Sequence, residues 1–171
     1  MRLDRPAQVV SAVTLLGALM GAAAPEPLYS VEIAQVMAGQ VILPGASPMA
    51  IHHGRGFSLF VDGAALLLWS GVGVENACRI LTIVMVALAF CAVSLLGYAF
   101  TRNTFAAGIL PVALIGYEVG SRAHRYPVGL PWSASDLGTD GMTATVAALS
   151  LLALRMPWGL AVLGVLPALH A

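Results

Sequence analysis

The sequence contains no lysine. Its eight fixed positive charges are all arginines, at positions 2, 5, 55, 79, 102, 122, 125 and 155, and eight acidic residues balance them to a formal net charge of zero. Charge of either sign is scarce, at 9% of 171 positions, against about 25% in an ordinary soluble domain. No basic patch is available to hold nucleic acid. A soluble enzyme and a disordered tail are excluded on the same ground, because both need far more polar surface. Cysteine is limited to Cys78 and Cys91, thirteen positions apart with no CxxC. They read as small buried hydrophobes, neither a disulfide nor a metal pair.

Apolar side chains make up the bulk instead. AVILMFWYC residues fill 59% of the chain, and the mean hydropathy is +0.89. The expected fold class is all-α: a polytopic transmembrane helical bundle, one integral-membrane domain over residues 1–171, in a cell membrane of the bacterial inner-membrane type. A span needs about 20 apolar residues. Candidate spans lie near 7–24, 57–74, 80–100, 104–118, 142–155 and 157–169. Arg155 and Pro157 split the last stretch, which reads as a helical hairpin or as one kinked helix. The count is therefore five or six. Ala22-Ala23-Ala24 resembles a cleavage site, but Pro25 follows directly and the preceding run is long enough to span, so an uncleaved first helix is expected.

Arginine placement gives the expected orientation. With six spans and a cytoplasmic N-terminus, Arg2, Arg5, Arg79, Arg122 and Arg125 are inside, and Arg55, Arg102 and Arg155 are outside. If 57–74 does not cross, Arg2, Arg5, Arg102 and Arg155 are inside and the split is even. The arginine rule prefers the first arrangement, which puts the two long loops, 25–56 and 120–141, on opposite faces.

The first loop opens with Pro25-Glu26-Pro27. From Leu28 to Leu43 a helical pattern returns, with Ile33, Ala34, Met37, Ala38 and Val41 on one face and Glu32, Gln35 and Gly39 opposite. That pattern predicts an amphipathic helix lying in the membrane interface. Beyond it, His52-His53-Gly54-Arg55 forms a polar patch at the mouth of the second span. Arg55 can grip a phosphate or carboxylate through its fork of donors. His52 and His53 can donate to a phosphate or move protons. Glu26 or Glu32 can accept a proton from a hydroxyl nucleophile. The alternative is a snorkelling arginine beside solvated histidines. Asp62, five residues into an apolar run, either faces the bundle interior as a site residue or sits at headgroup depth. Its expected partner is Arg55, seven residues earlier.

The second loop concentrates charge, aromatics and turn residues. Tyr126 and Trp132 fit an interfacial belt, and Asp136 and Asp140 fit caps for a helix beginning near Met142. Ser121, Arg122, His124, Tyr126-Pro127 and Asp136 echo the letters of membrane PAP2 phosphatases. Only one residue separates Arg122 from His124, and a Lys-containing first motif cannot exist here, so that family is set aside. No cofactor is named by the pattern. A divalent metal becomes an option only if the two loops share a face, where His52, His53, His124 and Asp136 can converge.

One span is followed by a loop with an acid just after it, an interfacial helix and further spans. With Glu26-Pro-Leu-Tyr29-Ser-Val-Glu32-Ile-Ala34-Gln-Val-Met37, this order resembles the N-terminal module of GT-C superfamily membrane glycosyltransferases. The likeness covers roughly residues 7–75. It implies a polyprenyl-phosphate-linked sugar as substrate, Glu26 (second choice Glu32) as the base that deprotonates the acceptor hydroxyl, and Arg55 with His52 or His53 on the lipid-linked phosphate. Two other classes stand beside it. A small transporter would use Asp62 and Glu118 along a path between helices. A non-catalytic accessory subunit would pack its Gly- and Ala-rich spans against partner membrane subunits.

Overall fold

A computed structural model describes residues 5–23, 29–42, 58–121 and 137–169, and every regular element among them is an α-helix. In chain order these are α1 (Arg5–Ala23), α2 (Tyr29–Met37), α3 (Leu59–Trp69), α4 (Val74–Thr101), α5 (Thr104–Ser121), α6 (Leu137–Ala153) and α7 (Trp158–Leu169).

The central element is α4. Its 28 residues extend about 42 Å at 1.5 Å per residue, and α1, α3, α5 and α6 all pack on it. It starts six residues before the expected span. Gly73 enters in extended conformation, and Glu75 lies in the first turn, where an acid complements the helix dipole. It ends at Arg102, which is left-handed at φ 54° and donates its backbone N–H to the Tyr98 carbonyl at 2.8 Å.

Two glycines set how closely α1 approaches α4. A Cβ on Gly17 would lie 2.7 Å from Phe90 Cγ and 2.9 Å from the Val86 carbonyl oxygen; one on Gly21 would lie 2.8 Å from the Thr82 carbonyl oxygen. The pair forms a Gly-x-x-x-Gly stripe that lets two backbones nearly touch. Val13, Val86 and Phe90 close the contact on one side. As α1 runs from Gly17 to Gly21, its partners run backwards from Phe90 to Thr82, so the helices are antiparallel. The same device recurs at Gly97, whose Cβ would sit 2.9 Å from the Ala106 carbonyl oxygen of α5.

The second expected span is not a full one. Residues 57–74 contribute only α3, whose 11 residues extend about 16 Å, roughly half of a hydrocarbon layer about 30 Å thick. The apolar run continues past Trp69, but the helix does not. Gly71 takes φ 87°, Gly71 N–H donates to Leu68 O and Val72 N–H to Leu67 O, which closes the end as a Schellman motif. The helix expected over 28–43 is shortened in the same way. It covers Tyr29–Met37 because Gly39 at φ 72° ends it, with Gly39 N–H on Val36 O and Gln40 N–H on Gln35 O. Nor does it simply float on the membrane surface. Val31, Ile33 and Ala34 are buried and the helix packs on α3, while Val41, past the stop, is exposed.

The last stretch is a hairpin. Arg155 turns left-handed at φ 59° and its N–H reaches Leu152 O at 2.8 Å. Then α7 folds back so tightly that a Cβ on Gly159 would meet the Ala148 carbonyl oxygen at 2.8 Å. Its partner α6 starts at Leu137, five residues earlier than expected, so Asp140 is the fourth helical residue.

Among the described residues, two helices, α1 and α4, are long and apolar enough to cross a membrane. The spans drawn from hydropathy ran through Gly71 and Gly73, and those residues stop helices without interrupting an apolar stretch.

These contacts sort the helix ends. The start of α1, the α4–α5 turn and the end of α6 share one end of the bundle. There Val9 approaches Gly108 and the Arg102 guanidinium donates to the Ala153 carbonyl at 3.0 Å. Arg5, Arg102 and Arg155 are therefore neighbours in height, not split across two faces as the six-span arrangement requires. The opposite end holds the end of α1, the start of α4, the end of α5 and the start of α6. The chain after Ala23 and the chain between Ser121 and Leu137 thus both leave the bundle at this second end, where the arginine rule had separated the two loops.

Gly17→Leu should weaken the α1–α4 pair by about 1–3 kcal/mol through overpacking, measured as a lower melting temperature in detergent. Gly63→Ala adds a methyl that meets nothing within 4 Å and should cause no loss. Equal losses at the two positions would remove the glycine contacts as the cause.

Candidate functional site

Of the six candidate residues, Glu32 and Asp62 fall among the described residues. Glu26, His52, His53 and Arg55 lie outside them, as do His124 and Asp136 of the metal expectation and the side chain of Glu118. Among the described residues no group of three or more His, Cys, Asp or Glu gathers.

Glu32 is exposed in the first turn of α2. The helix is held by its other side, where Val31 and Ala34 are buried against the core made with Phe60, Ala64, Leu68 and Leu81. This leaves the Glu32 carboxylate free in solvent at the end of the bundle where α1 finishes.

Asp62 has a local role. Its Oδ2 accepts the Ser58 backbone N–H at 3.1 Å, and its own N–H donates to the Ser58 carbonyl at 2.8 Å. The carboxylate therefore satisfies a donor that the start of α3 would otherwise leave open, next to the positive end of the helix dipole. An acid inside an apolar run is thereby accounted for without an arginine partner. Its signal was present in the sequence, as a serine followed four residues later by an aspartate at the head of an apolar run.

Three buried serines carry hydroxyls with no hydrogen-bond partner among the described residues: Ser30, Ser58 and Ser94. Two of them sit at the starts of α2 and α3, which pack on each other. The α2–α3 unit thus brings together both described candidate acids and two unpaired hydroxyls. This is where the polar chemistry within the described bundle concentrates.

The bundle also holds a cavity of about 460 Å³ between α3, α4, α6 and α7. Its walls include Phe60, Met85, Leu88, Ala144, Ala147 and Val162. Cys91 lines it too, as a free thiol. Cys78 is free on the same helix, thirteen residues and about 20 Å away, well beyond the reach of a disulfide. Neither the cavity nor the Gly17–Gly21 stripe was drawn from the sequence. The glycine stripe could have been found by its spacing alone, whereas the cavity depends on where α3 begins.

Asp62→Leu should cost about 1 kcal/mol, as loss of an N-terminal cap does, and Asp62→Asn, which keeps an acceptor oxygen, should cost clearly less. Unfolding in detergent measures both. Equal behaviour of the two variants would show that the carboxylate is not acting as a cap.

Compared with known proteins, the chain matches no family model, no curated protein and no solved structure.

Proposed function

We propose that the chain is a multi-pass inner-membrane protein acting as a GT-C-like glycosyltransferase module at the external face. In this reading α1, α4, α5 and α6 cross the bilayer, α2 with α3 enters from one side only, and the 12-residue α7 enters from the other. Arg2 precedes α1, Arg5 is its first residue, and no arginine follows before Arg55. The first helix usually dominates orientation, so the Arg102 end is cytoplasmic and segments 25–56 and 120–141 are both external. Apolar surface supports the membrane setting. On α1, Leu15 and Leu19 are 61% and 60% exposed, a pattern that water disfavours and lipid accepts.

The observation that carries the functional reading is an exposed Glu32 at the end of the bundle where α1 finishes, α4 starts and α5 hands over to α6. Segments 25–56 and 120–141 both begin there, and His52, His53 and Arg55 belong to the first of them. Glu26, or Glu32 in second place, takes the proton of an acceptor hydroxyl. The freed oxygen attacks the anomeric carbon of a sugar on polyprenyl phosphate. The bond from that carbon to the phosphate oxygen breaks, and polyprenyl phosphate leaves with the electron pair. Arg55, with His52 or His53, balances the charge on the departing phosphate. Support for these roles comes from the resemblance over residues 7–75 and from residue chemistry.

Purified chain supplied with labelled polyprenyl-phosphate sugar and a membrane acceptor should transfer label, and Glu26→Gln should lower the rate about 10²–10⁴-fold, as loss of a positioned base does. No transfer by the wild type, together with a stable partner subunit in mild detergent, would favour the accessory-subunit reading. Topology has its own check. In a background without Cys78 and Cys91, single cysteines at Ser47 and Ser133 should both react with an impermeant thiol reagent from outside intact cells. Labelling from opposite sides would overturn the shared external face.

A further inference from the structure

We propose that the cavity between α3, α4, α6 and α7 holds one acyl chain of a bilayer phospholipid as a structural component of the bundle. The inference rests on the reading of the chain as membrane-embedded, and it is independent of the glycosyltransferase reading.

The void follows from the half-length of α3. Its first residues, Leu59 and Phe60, meet α4 at the height of Met85 and Leu88, near the middle of Val74–Thr101. Beyond that height nothing from α3 covers α4. The walls contributed by α6 and α7 also come from the middle of those helices, at residues 143–147 and 161–165. Small side chains, Ala144 and Ala147 among them, keep the slot open. At about 460 Å³ it falls in the size range of small-ligand sites, roughly 300–1,000 Å³.

The lining selects the occupant. No charged residue contributes to it, and its polar side chains are Thr143 and Cys91. Water needs several polar partners to be held in a cavity, and this one offers too few. A sugar, nucleotide or peptide would leave its own polar groups unpaired there. Hydrocarbon meets neither penalty.

The opening selects the source. Leu88 and Val165 line the cavity and are 49% and 43% exposed, so the cavity is not sealed at these two residues. The slot therefore opens sideways at mid-height, onto the surface that faces lipid in the membrane reading. The chains lying against that mouth are those of bulk phospholipid. No arginine among the lining residues stands ready to select an isoprenoid phosphate by its head.

The test uses the full chain purified in mild detergent and examined by native mass spectrometry. One retained phospholipid per chain is expected. Ala147→Phe projects a ring into the slot and should lower retention about tenfold, through lost van der Waals contact along the chain. Leu149→Phe, on the exposed side of α6, should leave retention unchanged. If Ala147→Phe fails to fold, Ala161→Leu on the α7 wall replaces it. The proposal is overturned by a lipid-free wild type, by equal retention in the filled and control variants, or by an isoprenoid phosphate as the bound species. Failure of the membrane reading would look different, as a chain recovered folded from the aqueous fraction without detergent.

Discussion

Every helix end in this protein has to be closed with very few polar side chains, and most of the architecture follows from that constraint. Backbone N–H and C=O groups left open in apolar surroundings cost several kcal/mol each. With 9% charged residues, the chain mostly closes its ends with its own backbone. Gly39, Gly71 and Arg155 take positive φ to do so. Where backbone alone does not suffice, the few polar groups are spent at ends: Asp62 on the start of α3, the Asn103 side chain on the Phe105 N–H, and the Arg102 guanidinium on the last carbonyl of α6. Residues that read as candidates for chemistry thus carry a structural duty first.

Closed helices must still be held together, and in a lipid setting the hydrophobic effect gives little help. The contacts seen here are those that suit such a setting. Gly17 and Gly21 bring α1 onto the backbone of α4, Gly97 does the same for α5, and Gly159 folds α7 onto α6. Hydroxyls are returned to their own helices, as with Thr14 on Val10 O and Ser150 on Val146 O. The Arg102 link then joins two helix turns at one end, beside Arg155, while Ala23, Ser121 and Leu137 lie at the other.

The sequence conveys helix identity well and helix length poorly. Helices at α1, α4 and α5, the short helix after Pro27, and the break at Pro157 could all be read from apolar runs and prolines. The extent of α3 could not, because Gly71 and Gly73 barely lower an apolar average while they end a helix outright. Counting α3 as a full span placed Arg102 and Arg155 at the opposite end from Arg5, whereas the helix contacts put all three at one end. For the site, the placement of Glu32 on the polar side of α2 was legible from its 3.6-residue pattern. The capping role of Asp62 was missed, because an acid in an apolar run draws attention as an intramembrane charge before it is read as a local hydrogen-bond acceptor. Cavities are the least legible feature of all, since they are made by what several distant segments fail to fill.

The half-length of α3 also constrains the order in which the molecule is built. Insertion machinery recognises a segment by whether it can reach across the bilayer, and 11 residues cannot. Helices such as α1 and α4 can enter as independent units and find each other through their glycines, but α3 acquires a place only once the wall it leans on exists. With α2 it therefore depends for its place on the wall that α4 provides.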